Sequence, residues 1–188
     1  NERIYTADTD GMNWPSQSTR VSVVDINSFE FEKTITVSLN PNYIYSDSDG
    51  DVYVICMSDY SDDKSYIVQR IDAKTDEVKT VEGIKAYKMT VADDIAYIMF
   101  NDYYANEVKY YKYDLKNEKL LSDNFITDGT VVSSPNGIGV DPVTGDIYVG
   151  KSNKKNNGDV YVFSSEGKLK SQFETLPYPA DFVFMTNK

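Results

Sequence analysis

Three features of the 188-residue chain predict an all-β fold of the β-propeller class. A tyrosine-centred apolar run recurs four times: Glu-Arg-Ile-Tyr-Thr (2–6), Gly-Asp-Val-Tyr-Val (50–54), Asp-Ile-Ala-Tyr-Ile (94–98) and Gly-Asp-Ile-Tyr-Val (145–149). Its tyrosines, Tyr5, Tyr53, Tyr97 and Tyr148, lie 48, 44 and 51 positions apart, the spacing of a repeated supersecondary unit. Each run also has the same sequel, a polar loop, a second apolar run, a tight turn and a third run. Four antiparallel strands in about 45 residues are a propeller blade. The third feature is composition, since 16 Tyr against 8 Phe and one Trp suits half-buried strands.

Naming the strands a to d in each blade, the elements follow in order. The first blade begins at strand b (around Tyr5), continues with strand c at Val21-Ser22-Val23-Val24 and ends with strand d at 31–37. The second has strand a at Tyr43-Ile44-Tyr45, b at 52–57, c at Tyr66-Ile67-Val68 and d at 78–81. The third has a at 88–91, b around Tyr97, c at Val108-Lys109-Tyr110-Tyr111 and d at 119–125. The fourth has a at 138–140, b at 147–150, c at 160–163 and d at 169–173. The c-to-d turns hold Asp25-Ile26-Asn27, Asp72-Ala73-Lys74, Asp114-Leu115-Lys116 and Ser164-Ser165-Glu166-Gly167, residue types that bond their own backbone or accept positive φ. Strand b is apolar at consecutive positions, as expected for a strand covered on both faces.

The last apolar run, 178–186, reads as a strand a with no blade of its own. In a closed ring it completes blade one, strand 182–185 pairing with 4–7 and covering an edge open to aggregation; in a portion of a larger ring that edge meets another chain or solvent. The blades are then 1–37 with 178–186, 40–82, 86–126 and 135–175. A closed four-bladed ring and a portion of a larger ring both remain open. The chain opens directly on a strand-like run with no signal peptide, so a processed or truncated N-terminus is expected.

Charge and residue counts exclude several functions. A formal net charge of −11 repels phosphate backbones, so nucleic acid is not an expected partner. No apolar run approaches the roughly 18 residues of a membrane span. Without histidine there is no Ser-His-Asp or Cys-His arrangement and no imidazole metal site. Thirty acids leave a carboxylate pair open, but no spacing singles one out, so no catalytic residue is assigned. The single Cys56, inside an apolar run, reads as a buried small residue. Asp47-Ser48-Asp49-Gly50-Asp51 and Asp8-Thr9-Asp10-Gly11 have the alternating oxygens of a Ca²⁺ loop, but the twelve-residue pattern with its closing Glu is missing. Turn chemistry accounts for both, and neither a metal nor a cofactor is assigned. Lys154-Lys155 reads as a solvated pair.

The stretch SPNGIGVDPVTGDIYVGKSNKKNNGDVYVFSSEGKLKSQFETLPYPADFVF (134–184) resembles the C-terminal blades of YncE-like propellers of the YVTN type. Within that group it is most similar to bacterial surface lipoproteins that include the vitamin B12-binding BtuG family. The resemblance implies an exported protein at the outer-membrane surface or in the periplasm, tethered through a lipid anchor outside this chain. It implies a binder without a catalytic step, cobalamin being one candidate ligand. It also implies more blades than the four visible, and its motifs build turns and strands and carry no ligand site.

In a propeller the b-to-c and d-to-a loops emerge at one end of the strands. Here they carry rigid aromatics and amides suited to a ligand: Trp14, Tyr60, Tyr103, Tyr104, Asn136, Asn156 and Tyr178 are the candidate binding residues, with Asn40, Asn101, Asn106 and Asn153 nearby. The expected function is capture of a small-molecule ligand. The alternatives are a scaffold that docks an outer-membrane protein, and an enzyme of the lactonase or glycan-lyase kind.

Overall fold

In the computed structural model, which describes residues 2–59, 66–102, 107–152 and 155–185, fifteen strands form one three-stranded and three four-stranded sheets. Sheet one is β1 (Arg3–Asp8), β2 (Arg20–Asp25) and β3 (Phe31–Thr36). Sheet two is β4 (Pro41–Ser46), β5 (Val52–Cys56), β6 (Ile67–Ile71) and β7 (Val78–Lys85). Sheet three is β8 (Lys88–Ala92), β9 (Ile95–Asp102), β10 (Glu107–Asp114) and β11 (Lys119–Ser122). Sheet four is β12 (Pro135–Val140), β13 (Ile147–Lys151), β14 (Gly158–Phe163) and β15 (Leu169–Thr175). Within each sheet, strands adjacent in sequence pair antiparallel, which is the strand order of a propeller blade. The only helical element among the described residues is a single 3₁₀ turn, Gly11–Asn13.

The chain forms two compact units, Asn1–Tyr87 with sheets one and two, and Lys88–Lys188 with sheets three and four. In the first unit Val21, Val23, Ile35 and Val37 pack with Val52, Val54, Cys56 and Ile71. β5 is buried along its whole length, as its continuous apolar run predicts. Burial pushes the Cys56 thiol up to about 12, so it sits in this core as a protonated, apolar group. In the second unit Phe125 meets the edges of Tyr97 and Tyr110 at 5.5 and 5.4 Å, and the Tyr110 hydroxyl donates to Val132 O at 2.8 Å. The fourth strands are the exposed ones; six of the seven residues of β15 face solvent.

The c-to-d turns show why their residue types recur. Asp25 Oδ1 accepts the N–H groups of Asn27 and Ser28 at 2.9 and 2.8 Å, and Asp72 Oδ1 accepts those of Lys74 and Thr75, both at 2.9 Å. These bonds hold both carboxyls below the usual carboxylate range, the Ser28 and Thr75 amides contributing most. In the fourth blade Gly167, at φ 80°, occupies the turn because the Phe125 carbonyl lies where a Cβ would stand.

The pairing expected of a closed ring is not among the described strand pairs. Residues 178–185 form no strand, and β1 pairs with β2 alone among the described residues, so sheet one keeps three strands. The segment instead lies in a glycine-floored trough of the second unit. A Cβ on Gly137 would stand 2.7 Å from Ala180, one on Gly139 2.7 Å from Phe182 Cβ, and one on Gly158 2.6 Å from Pro179, while Gly150 is overlaid by the Pro179 carbonyl. Phe182 and Phe184 pack on Tyr148, with ring centroids 5.9 and 5.0 Å away. The buried Lys88 ammonium donates to Ala180 O at 2.6 Å and to the Asp181 carboxylate at 3.0 Å. Packing and a charge-assisted clasp hold the segment there.

Candidate functional site

The loop end of the first unit is organised around Trp14. The β1–β2 loop leaves the sheet at Asp8, whose carboxylate accepts from Thr6 and Ser22 at 3.1 and 2.6 Å. Asp10 then takes a left-handed turn and accepts from Asn13 Nδ2 at 2.7 Å. Trp14 follows with 65% of its surface exposed, beside a fully presented Met12. The ring is not loose, because its Nε1–H donates to Asp59 O, 45 residues away, at 2.8 Å.

Beneath that loop Asn40 is the junction. Left-handed at φ 61° and 1% exposed, it donates Nδ2 to Ser58 O at 2.9 Å and exchanges backbone bonds with Ser18 and Met57. Asn40 is therefore internal framework, not the surface amide its loop position suggested. Two acceptor oxygens at this end, Asn40 Oδ1 and Gln17 Oε1, are buried and meet no donor among the described residues.

The other predicted residues distribute as follows. Asn136, half-buried, is the extra residue of a bulge between Pro135 and Gly137 in β12. Asn156 is exposed in the β13–β14 loop. Tyr178 is half-exposed at φ 61°, directly before the Pro179 that covers Gly150 and Gly158, so it stands beside that same loop. Tyr60, Tyr103 and Tyr104, together with Asn106, Asn153 and Lys154, lie outside the described residues.

Neither acidic loop gathers into a metal site. Asp47 Oδ1 accepts the N–H groups of Asp49 and Asp51 at 3.1 and 2.9 Å, and Asp51 is engaged by Arg70 and by the Ala73 N–H at 2.9 Å. Among the described residues no three or more His, Cys, Asp or Glu side chains are placed to hold an ion.

Sequence reasoning missed the cavities, which lie at the other end of the strands. In the first unit a cleft of about 570 Å³ is lined by Arg3 and Tyr5 of β1, Ile44 and Tyr45 of β4, and the turns carrying Asp49 and Lys74. In the second, a recess of about 280 Å³ is lined by Val91, Asp93, Val140, Pro142 and Phe184. In the sequence Tyr5 and Tyr45 mark strands and the Asp-Gly turn marks a hairpin, so a signal exists but serves another purpose.

No family model matches the chain, and no curated protein matches it in sequence. Its fold is similar to that of a solved chain described as Kuenenia stuttgartiensis hydrazine synthase, at 16% identity over 78% of this chain and 45% of that one, with a TM-score of 0.59. It is also similar to the Dos1 propeller, at 13% identity over 96% of this chain and 46% of that one, with a TM-score of 0.64. At these identities the likeness shows a β-propeller fold and nothing finer. The chain spans less than half the length of either solved chain.

Proposed function

We propose that this β-propeller chain is a non-catalytic binding module, exported to the cell surface or periplasm, that captures a small molecule at the loop end of its blades. The observation that carries this reading is Trp14, an exposed indole held in one orientation by the hydrogen bond it donates to a distant loop. An aromatic ring restrained before binding covers apolar ligand surface with little further entropy loss.

The resemblance to surface binders makes cobalamin, an amide-rich ligand, the first to test. Titration calorimetry of the intact chain should give a saturable heat. Trp14→Ala should weaken binding by roughly 30-fold, about 2 kcal/mol, the loss typical of an aromatic anchor. Losses of less than about twofold would remove Trp14 from the site. No heat with cobalamin, glycans or other small nutrients, alongside capture of a purified outer-membrane protein, would favour the scaffold reading. Turnover of a lactone or glycan would favour the enzyme.

A further inference from the structure

The cleft at the opposite end of the first unit is a second site, independent of the loop-end reading. β1 separates the two, its six residues spanning roughly 17 to 20 Å at about 3.3 Å each. The cleft's volume of about 570 Å³ is within the range of small-molecule sites.

Its walls are fixed before any ligand arrives. The Asp51 carboxylate joins two of them, accepting from Arg70 on one oxygen and from the Ala73 N–H on the other. Asp47 pins the intervening turn through the Asp49 and Asp51 amides. Arg3 is held by Glu32 at 3.0 Å and Asp76 at 3.6 Å. Rigid walls spare a ligand the entropy of ordering its site.

Three cations beside the cleft are already engaged by carboxylates. Arg3 and Lys33 share Asp76, and Arg70 stands between Asp51 and Asp72. With Asp47 and Asp49 set against Lys74, carboxylates outnumber cations, so a free anion would find no attractive field here. What the cleft does offer is a donor on Arg3, an acceptor on Asp49, the Ser46 hydroxyl, and the apolar surfaces of Tyr5, Tyr45, Ile44 and Val52. In addition, the Tyr5 hydroxyl is buried beside the Arg3 guanidinium. Polar groups set beside apolar side chains match a pyranose, which has a polar rim and an apolar C–H face.

We propose that this cleft binds a neutral mono- or disaccharide. The test follows backbone amide NMR shifts of the intact chain during titration with maltose, cellobiose and N,N′-diacetylchitobiose, with acetate and sulfate as anion controls. At least one sugar should shift amides at 46–52 and 73–75 saturably. Asp49→Ala or Lys74→Ala, both exposed positions, should weaken that binding at least about fivefold, and Trp14→Ala should leave it within about twofold. The spectra themselves report whether each variant is folded. The proposal is overturned by no saturable shift with any sugar, by shifts centred on 8–18, by insensitivity to both cleft variants, or by an anion that saturates the same amides at lower concentration. Failure of the cobalamin titration leaves this proposal standing, and the reverse is also true.

Discussion

Gly167, Gly83 and Gly129 all have positive φ, at 80°, 75° and 81°, yet they face different surroundings. Nothing lies within 4 Å of a Cβ built on Gly83 or Gly129, whereas at Gly167 that atom overlaps the Phe125 carbonyl. The Gly167 carbonyl also accepts the Thr127 N–H at 2.9 Å, and Glu166 O accepts from the Thr127 hydroxyl at 2.8 Å, so the segment after β11 is stitched to this turn. Alanine at Gly83 or Gly129 should therefore cost only the left-handed penalty, about 1 to 2 kcal/mol. Alanine at Gly167 must also separate two backbones and should cost about 3 kcal/mol or more. Urea midpoints of the three variants at constant m-value check the ordering.

At the scale of elements, the test case is the segment 178–185 in its trough. Gly137 and Gly139 of β12 occupy the positions that Tyr43 and Tyr45 hold in β4, after the same Pro-Asn pair. Where blade two fills that strand with its own rings, blade four leaves it bare and Phe182 fills it from outside. Lys88→Met, which keeps the length of the side chain and loses the clasp on Ala180 and Asp181, should speed amide exchange at 180–184 by roughly tenfold or more. Gly139→Val should do the same by steric lifting, and unchanged protection in both variants would sink the account. Strands b to d of blade one, strands a to d of blades two to four and the Asx-type turns of blades one to three were legible in the sequence, because hydrophobic runs and Asp-led turns act locally. The shortening of β11 to Lys119–Ser122 and the seat of 178–185 were not. Both depend on non-local packing, the first on Phe125 turning in between Tyr97 and Tyr110, the second on a missing Cβ being matched by a ring some forty residues later. The site was legible in part: Trp14 was visible as a loop aromatic, but its tether to Asp59 and the internal role of Asn40 come from tertiary contacts.

Considered as a whole molecule, the chain has two units, each with apolar packing of its own, and only the first contains a sulfhydryl. Cys56 lies fully buried in the Val21–Val23–Val54 cluster with its Sγ 3.8 Å from Gln69 Oε1. A disulfide reagent can reach it only through molecules in which β5 has come away from its neighbours, so labelling acts as a stopwatch on the opening of one half of the chain. In native buffer the reaction should run at least roughly 10³-fold slower than with a free thiol at the same pH, and it should accelerate with urea in proportion to the surface exposed. Labelling at the free-thiol rate would contradict the buried position of β5. Set beside amide exchange at Ile147 and Val149 in the second unit, the labelling rate tells whether the halves melt together or in turn. Equal opening free energies mean one cooperative transition. A gap above about 1 kcal/mol means that the chain can lend out one half of its surface while the other stays shut.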